Sequence, residues 1–284
     1  MINVSHLSFE YPKQKTKAID DISFDIDKGE IFGFLGPSGA GKTTTQRLLI
    51  GLLRGYDGSV KILGKERRVW QQNIFEHMGV AFDFPNLYLK LSARENLNLI
   101  SSYYEQKGQS VDELLERVGL LKDADKKVEG YSKGMKMRLN FIRSLLHNPD
   151  LLFLDEPTSG LDPVNAQLIK NMIIELKDQG KTIFLTTHNM TVADQLCDRV
   201  AFINEGQLSV VERPETLKRT HGKPIVTLTY LEGIREKNKE FLMHGLGENA
   251  DFLTLLKEKT ITSIHSGETT LEDIFIKLTG RSLK

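Results

Sequence analysis

The stretch Gly36-Pro37-Ser38-Gly39-Ala40-Gly41-Lys42-Thr43-Thr44 restricts the fold more than any other part of the chain. It fits G-x-x-x-x-G-K-[ST], a strand-to-helix turn built around a phosphate. Glycines accept the positive φ that such a turn demands and let bare N–H groups approach phosphate oxygens. Lys42 supplies a point charge for β- and γ-phosphates, the Thr43 hydroxyl offers a ligand to Mg²⁺, and the following helix directs its positive end at the anion. The flanks agree, with Ile31-Phe32-Gly33-Phe34-Leu35 as an apolar strand and Gln46-Arg47-Leu48-Leu49 as helix. An ordinary glycine-rich turn is the competing reading; the lysine and threonine beside the strand and glycines argue against it.

The rest of the chain sets bounds. Its 284 residues allow one large domain, or one domain with an appendage. Hydrophobic residues at 39% and charged residues at 27% are the mix of a globular protein. Basic and acidic residues both number 38, so net charge makes no case for a nucleic-acid partner, and none is expected. Cys197 is the only cysteine, which excludes an internal disulfide and fits a reducing cytoplasm. The opening Met1-Ile2-Asn3-Val4-Ser5-His6 lacks the pattern of a secretory leader. No apolar run approaches the roughly 18 residues of a spanning helix, so any work at a membrane is expected to be peripheral.

Read in order, residues 2–10 and Ile22–Ile26 alternate as half-buried strands, and Ser59–Leu63 and His77–Phe82 are further short strands. Ser92-Ala93-Arg94-Glu95 is a capping box opening a helix through Leu97 and Ile100. Leu151–Leu154 and Thr182–Thr186 are continuous apolar runs suited to strands covered on both faces, separated by helical spacing from Val164 to Leu176. Asn204-Glu205-Gly206 between two strands signals a hairpin. This alternation implies an α/β fold with a mainly parallel core sheet, antiparallel N-terminal strands, and a helical subdomain at about 85–148. Beyond about residue 215 a small α+β region, 216–284, is expected, with strands at 224–229 and 261–264, a further one at Phe241-Leu242-Met243, and helices at 251–258 and 271–278.

Two other segments bear on chemistry. Leu151–Leu154 ends in Asp155 and Glu156, where Asp155 would hold Mg²⁺ through water and Glu156 would act as general base. Tyr131-Ser132-Lys133-Gly134-Met135-Lys136 precedes a helix, with Ser132 as N-cap and Gly134 open to close approach. Alone it reads as a capped helix. Beside the phosphate loop, it reads as a second phosphate-binding terminus that meets nucleotide held by a second copy.

Together these segments resemble the ATP-binding subunit of an ABC transporter, a P-loop NTPase. Gly36–Thr44 matches Walker A, Tyr131–Met135 the signature, Leu151–Glu156 Walker B, Ser159-Gly160-Leu161-Asp162 the D-loop, and His188 the switch histidine. The resemblance covers residues 1–215. Tyr131–Lys136, Thr187-His188-Asn189-Met190 and Leu271–Phe275 are similar to the ABC-2 exporter branch, and within it to bacterial multidrug and fluoroquinolone export ATP-binding proteins. The resemblance implies ATP and Mg²⁺, stacking of Tyr11 on the base, and His188 with Glu156 at the γ-phosphate. It also implies contacts from Ser132, Lys133, Gly134 and Met135 to nucleotide on a second chain.

The implied assembly is a homodimer or ABC heterodimer that powers export through a separate transmembrane permease, held peripherally at the cytoplasmic face of the membrane. Asp83 stands where the family usually has a metal-ligating Gln, and Lys133 and Met135 replace a Gly and the Gln of the signature. Phe84–Leu89 exposes apolar side chains that either pack on the helical subdomain or receive a permease helix. The alternative function is a non-transport ABC ATPase acting on DNA or ribosomes. A single cassette, no sustained heptads and zero net charge weigh against it.

Overall fold

The computed structural model describes residues 1–12, 16–70, 72–106, 108–222, 224–267 and 269–280. Positions 281–284 of the expected C-terminal region lie outside them. The chain divides into two compact units, Met1–Val211 and Glu212–Ser282.

The first unit starts with β1 (Ile2–Glu10), β2 (Lys17–Ile26), β3 (Ile31–Leu35) and α1 (Lys42–Ile50). Next come β4 (Asp57–Ile62), β5 (Lys65–Glu66), β6 (Met78–Ala81), α2 (Ala93–Ser101), α3 (Val111–Arg117) and α4 (Lys133–Arg143). The unit closes with β7 (Leu151–Asp155), α5 (Pro163–Asp178), β8 (Thr182–Thr187), α6 (Met190–Leu196), β9 (Arg199–Asn204) and β10 (Gln207–Glu212).

Among the described residues, one sheet has the order β2-β1-β4-β5 and a second the order β10-β9-β3-β8-β7-β6. The first sheet is antiparallel in each pair. In the second, β9, β3, β8, β7 and β6 pair in parallel. The central strands β3, β7 and β8 are buried along their whole length, which explains why they read as unbroken apolar runs. Phe24 of β2 stacks on Phe32 of β3 at 5.5 Å, and Phe34 and Phe153 both meet Phe184 of β8, so one aromatic cluster joins the two sheets. Truncating a fully buried phenylalanine such as Phe184 costs about 3–5 kcal/mol.

The helical subdomain is set by local signals. Ser92 with Glu95 and Ser110 with Glu113 form complete capping boxes at α2 and α3. From α4, Asn140 Nδ2 donates to Phe82 O at 2.7 Å, fixing the segment that leads from β6 to Asp83.

The second unit holds α7 (Pro214–His221), β11 (Ile225–Glu232), β12 (Arg235–Leu242), α8 (Ala250–Glu258), β13 (Thr260–Gly267) and α9 (Leu271–Thr279). Its sheet has the antiparallel order β12-β11-β13. Val226, Leu228, Phe241 and Phe252 form a small core. The strand read at Phe241–Met243 is the end of a longer one, since β12 begins at Arg235.

Candidate active site

Parallel pairing brings the candidate residues together. The phosphate loop follows β3, Asp83 follows β6, Asp155 and Glu156 end β7, and Thr187 and His188 end β8. In register, Leu35 lies beside Thr187, Asp155 beside Thr186 and Ala81 beside Leu154, so four strand ends open on one crevice. Ser38, Gly39, Gly41, Lys42, Thr43, Thr44, Asp83, Asp155, Glu156, Ser159 and His188 line a cavity of about 480 Å³ there.

The loop's shape follows from its residues. Gly41 has φ +113°, and a Cβ at this position would stand 2.7 Å from Ile19 Cδ1, so only glycine fits. Lys42 folds back across the loop, donating from Nζ to Gly36 O at 2.6 Å and Pro37 O at 2.9 Å. These contacts engage two of its three ammonium hydrogens and leave one for an incoming anion. Burial lowers the Lys42 pKa from its ordinary value, while Glu156 and Asp155 pull it upward. Ala40 N donates to Pro37 O at 3.2 Å, closing the turn. Tyr11 stands outside the cavity lining, held edge-on by Phe9 at 5.0 Å and bonded through its hydroxyl to Thr44 Oγ1 at 3.1 Å.

Asp155 is buried at the floor of the strand ends. Its carboxylate accepts from the Thr186 hydroxyl and, at 3.3 Å, from the Thr43 hydroxyl. Burial pushes its pKa up, the Thr186 bond opposes this, and the nearby charges of Glu156 and Asp83 add to the rise. Thr43, Asp155 and Asp83 are hard oxygen donors, the type that suits Mg²⁺. Among the described residues no group of three or more His, Cys, Asp or Glu side chains forms a metal cage.

Glu156 is the most constrained residue of the site. Its backbone is left-handed, φ +48°, which is uncommon without glycine. Glu156 N donates to Thr186 O at 2.9 Å and Ser159 N donates to Glu156 O at 3.0 Å, bracketing this conformation. The side chain is held on both oxygens. Oε1 accepts from His188 N at 2.8 Å and from His188 Nδ1 at 2.6 Å, and Oε2 accepts from the Thr187 hydroxyl at 2.9 Å. Since an ionised carboxylate has about four acceptor positions, one remains, on Oε2, for a water.

Ser132, Lys133, Gly134 and Met135 do not line the cavity. They form the start of α4, where the Ser132 hydroxyl accepts from Met135 N at 3.2 Å. A second cavity of about 470 Å³ shares Thr43, Asp83 and Asp155 with the first and adds Arg47, Leu52, Leu53, Phe82, Phe84 and Asn86. Phe84 is 77% exposed and Tyr88 52%, so these side chains are not absorbed by packing on the helical subdomain. Thr186 and Thr187 hold Asp155 and Glu156 though no motif assigns them a role, and Ser159 of the D-loop segment reaches the cavity wall. The adjacent pair Thr186-Thr187 ending a buried strand just before His188 was the available signal.

Comparison with known proteins gives the family. The family model described as ABC transporter matches residues 19–159. That of the fluoroquinolone efflux ABC transporter C-terminal domain matches residues 225–268. The chain is 48% identical over 284 residues to a fluoroquinolones export ATP-binding protein of Mycobacterium tuberculosis (strain ATCC 25618 / H37Rv), covering 100% of this chain and 94% of that protein. It is 35% identical over 306 residues to a bacitracin transport ATP-binding protein of Bacillus licheniformis, covering 99% and 97%. Among solved structures, an ATP binding subunit of an ABC transporter aligns with a TM-score of 0.71 at 27% identity, over 78% of this chain and 93% of that one. A bacterial ABC transporter cassette solved as a dimer aligns with a TM-score of 0.68 at 25% identity, over 75% and 98%.

Proposed function

Because the chain belongs to the ABC transporter ATP-binding family, we propose that it is the ATPase subunit of an exporter, working as a head-to-tail dimer beneath a separate permease. The observation that carries this reading is the single cavity in which Lys42, Thr43, Asp155, Glu156 and His188 converge, with Glu156 held ready on both oxygens.

Lys42 and the loop amides bind the triphosphate, and Tyr11 stacks on the base, a contact worth about 1–3 kcal/mol that tolerates either purine. Thr43, Asp155 and Asp83 would hold Mg²⁺, which would offset the negative charge of the phosphates. Glu156 takes a proton from the water that attacks the γ-phosphorus as the bond to the β–γ bridging oxygen breaks. His188 orients Glu156 through Nδ1 and backs the γ-phosphate.

One chain supplies half of this site. Ser132, Lys133, Gly134 and Met135 lie outside the cavity, and in the proposed sandwich they close over the nucleotide of the second chain. Loss of the γ-phosphate then releases the dimer. No helix among the described residues is long and apolar enough to cross a membrane, so attachment at the cytoplasmic face goes through the permease. The exposed Phe84 and Tyr88 beside the second cavity are its proposed seat. The proposed domain division is an ATP-binding domain, 1–215, with helical subdomain 85–148, followed by an accessory region, 216–284. The C-terminal match and the mycobacterial relative favour a fluoroquinolone-type drug as cargo.

Glu156→Gln tests the chemistry. Nucleotide binding should persist while turnover falls by about 10²–10⁴. An unchanged rate would remove Glu156 from the role of base.

A further inference from the structure

The first turn of α4 lies against the turn that follows Glu156 in the same chain. A Cβ built on Gly134 would stand 3.5 Å from Leu161 Cδ2 and 3.8 Å from Gly160 O. Across this junction runs the Lys133 side chain. A Cβ built on Gly160 would stand 2.7 Å from Lys133 Cε, 2.9 Å from Nζ and 3.0 Å from Cδ. Gly160 also has φ +69°, so the missing side chain serves both the backbone and the lysine laid over it.

The turn beneath Lys133 belongs to the site. Ser159 lines the cavity, and its N–H donates to Glu156 O at 3.0 Å. Asp162, at the other end of the turn, caps α5 by accepting from Val164 N and Asn165 N, each at 3.1 Å. Among the described residues the Lys133 ammonium has no ion pair or hydrogen bond, and the first turn of α4 carries no acidic residue to hold it. An unpaired cation resting on a backbone turn moves readily toward an anion.

We propose that Lys133 is a positioning residue for hydrolysis: resting on Gly160, it links an anion bound at the start of α4 to the turn that carries Ser159 and Glu156 in its own chain. The inference rests on the sandwich reading, in which that anion is the γ-phosphate of nucleotide held by a second copy. The bound phosphate draws the ammonium off Gly160 and frees the turn to settle around the chain's own nucleotide. Filling one site thereby favours the productive geometry of the other, a coupling between two sites through one side chain with two resting places.

The test measures steady-state ATPase against ATP concentration for the full-length chain, Lys133→Ala, Lys133→Arg and Gly160→Ala, with ATP-dependent dimerisation followed by sedimentation. The wild-type chain is expected to show a Hill coefficient well above ~1, approaching ~2 for two sites. In Lys133→Ala it should fall to ~1 while nucleotide affinity of the monomeric chain changes by less than about twofold. Lys133→Arg should keep the cooperativity. Gly160→Ala, which evicts Lys133 without removing its charge, should lose it, with no further loss in the double variant. A wild-type Hill coefficient of ~1, or an unchanged one in Lys133→Ala with dimerisation intact, overturns the proposal and leaves the sandwich standing. Absence of any ATP-dependent dimer overturns both.

Discussion

Replacing Thr187 by valine keeps the shape of a buried side chain and removes one hydroxyl. That hydroxyl donates to Glu156 Oε2 at 2.9 Å and accepts from Asn189 N at 3.0 Å, and Thr187 is 1% exposed. Glu156 Oε1 keeps both donors from His188. A hydrogen bond to a charged group contributes about 1.5–3 kcal/mol, so if it is fully expressed in the transition state, turnover falls about 10- to 150-fold. Thr187 does not line the cavity, so KM for ATP should stay within about twofold. The Asn189 N–H that loses its acceptor belongs to an exposed residue and can turn to solvent, so Tm should change little. The assay is phosphate release at saturating ATP, with Thr187→Ser as the control that restores the hydroxyl. A Thr187→Val turnover within about twofold of wild type would refute the claim that this bond positions the base. A raised KM with unchanged kcat would assign Thr187 to binding instead.

Lys42→Ala should weaken nucleotide binding about 10- to 100-fold in a fluorescent-nucleotide titration, since the remaining ammonium hydrogen has no substitute; wild-type affinity would contradict the phosphate-cradle assignment. Phe84→Asp should leave the ATPase of the purified chain intact and abolish its stimulation by the permease, and retained stimulation would remove Phe84 from the docking seat. His147 is buried, stacked on Tyr104 at 3.7 Å, and bonded through Nε2 to Met78 O at 3.0 Å. Burial holds its pKa below the ordinary 6.5. The unfolded chain therefore binds more protons just below 6.5, so stability is intact above that pH and is lost as pH falls through the folded value. Melting curves across this range should show His147→Gln losing less stability on acidification than wild type, and parallel curves would refute the linkage.

Much of the fold was legible because local chemistry and tertiary placement agree. The strands β3, β7 and β8 were readable as unbroken apolar runs because they are covered on both faces. A capping box marked α2 at its first turn, and amphipathic spacing marked α9. β12 was hidden for the opposite reason. Its sequence Arg-Glu-Lys-Asn-Lys-Glu carries the charges of an exposed edge strand, and only Phe241 is buried. The seven-residue α6 is too short for its period to stand out, and Asn189, its cap, sits in a motif read for His188. At the site, residue types showed which groups could carry chemistry. The grip on Glu156 was not legible, because Thr187 and His188 stand 31 and 32 positions away in sequence and reach it only through the pairing of β7 with β8. The left-handed backbone of Glu156 was hidden as well, since the Pro157 that follows usually argues for an extended residue before it.

The central claim is that one chain holds half a site and a second chain completes it. A Lys42→Ala chain and a Gly134→Asp chain, each inactive alone, test it when mixed in equal amounts. In a head-to-tail dimer, every mixed pair contains one composite site with an intact phosphate loop and an intact α4 start. With half the dimers mixed and one of two sites sound in each, ATPase should return to at most about a quarter of the wild-type rate, the full quarter being reached only where the two sites work independently. If both defects act within their own chain, the mixture stays inactive, and that result would contradict the account.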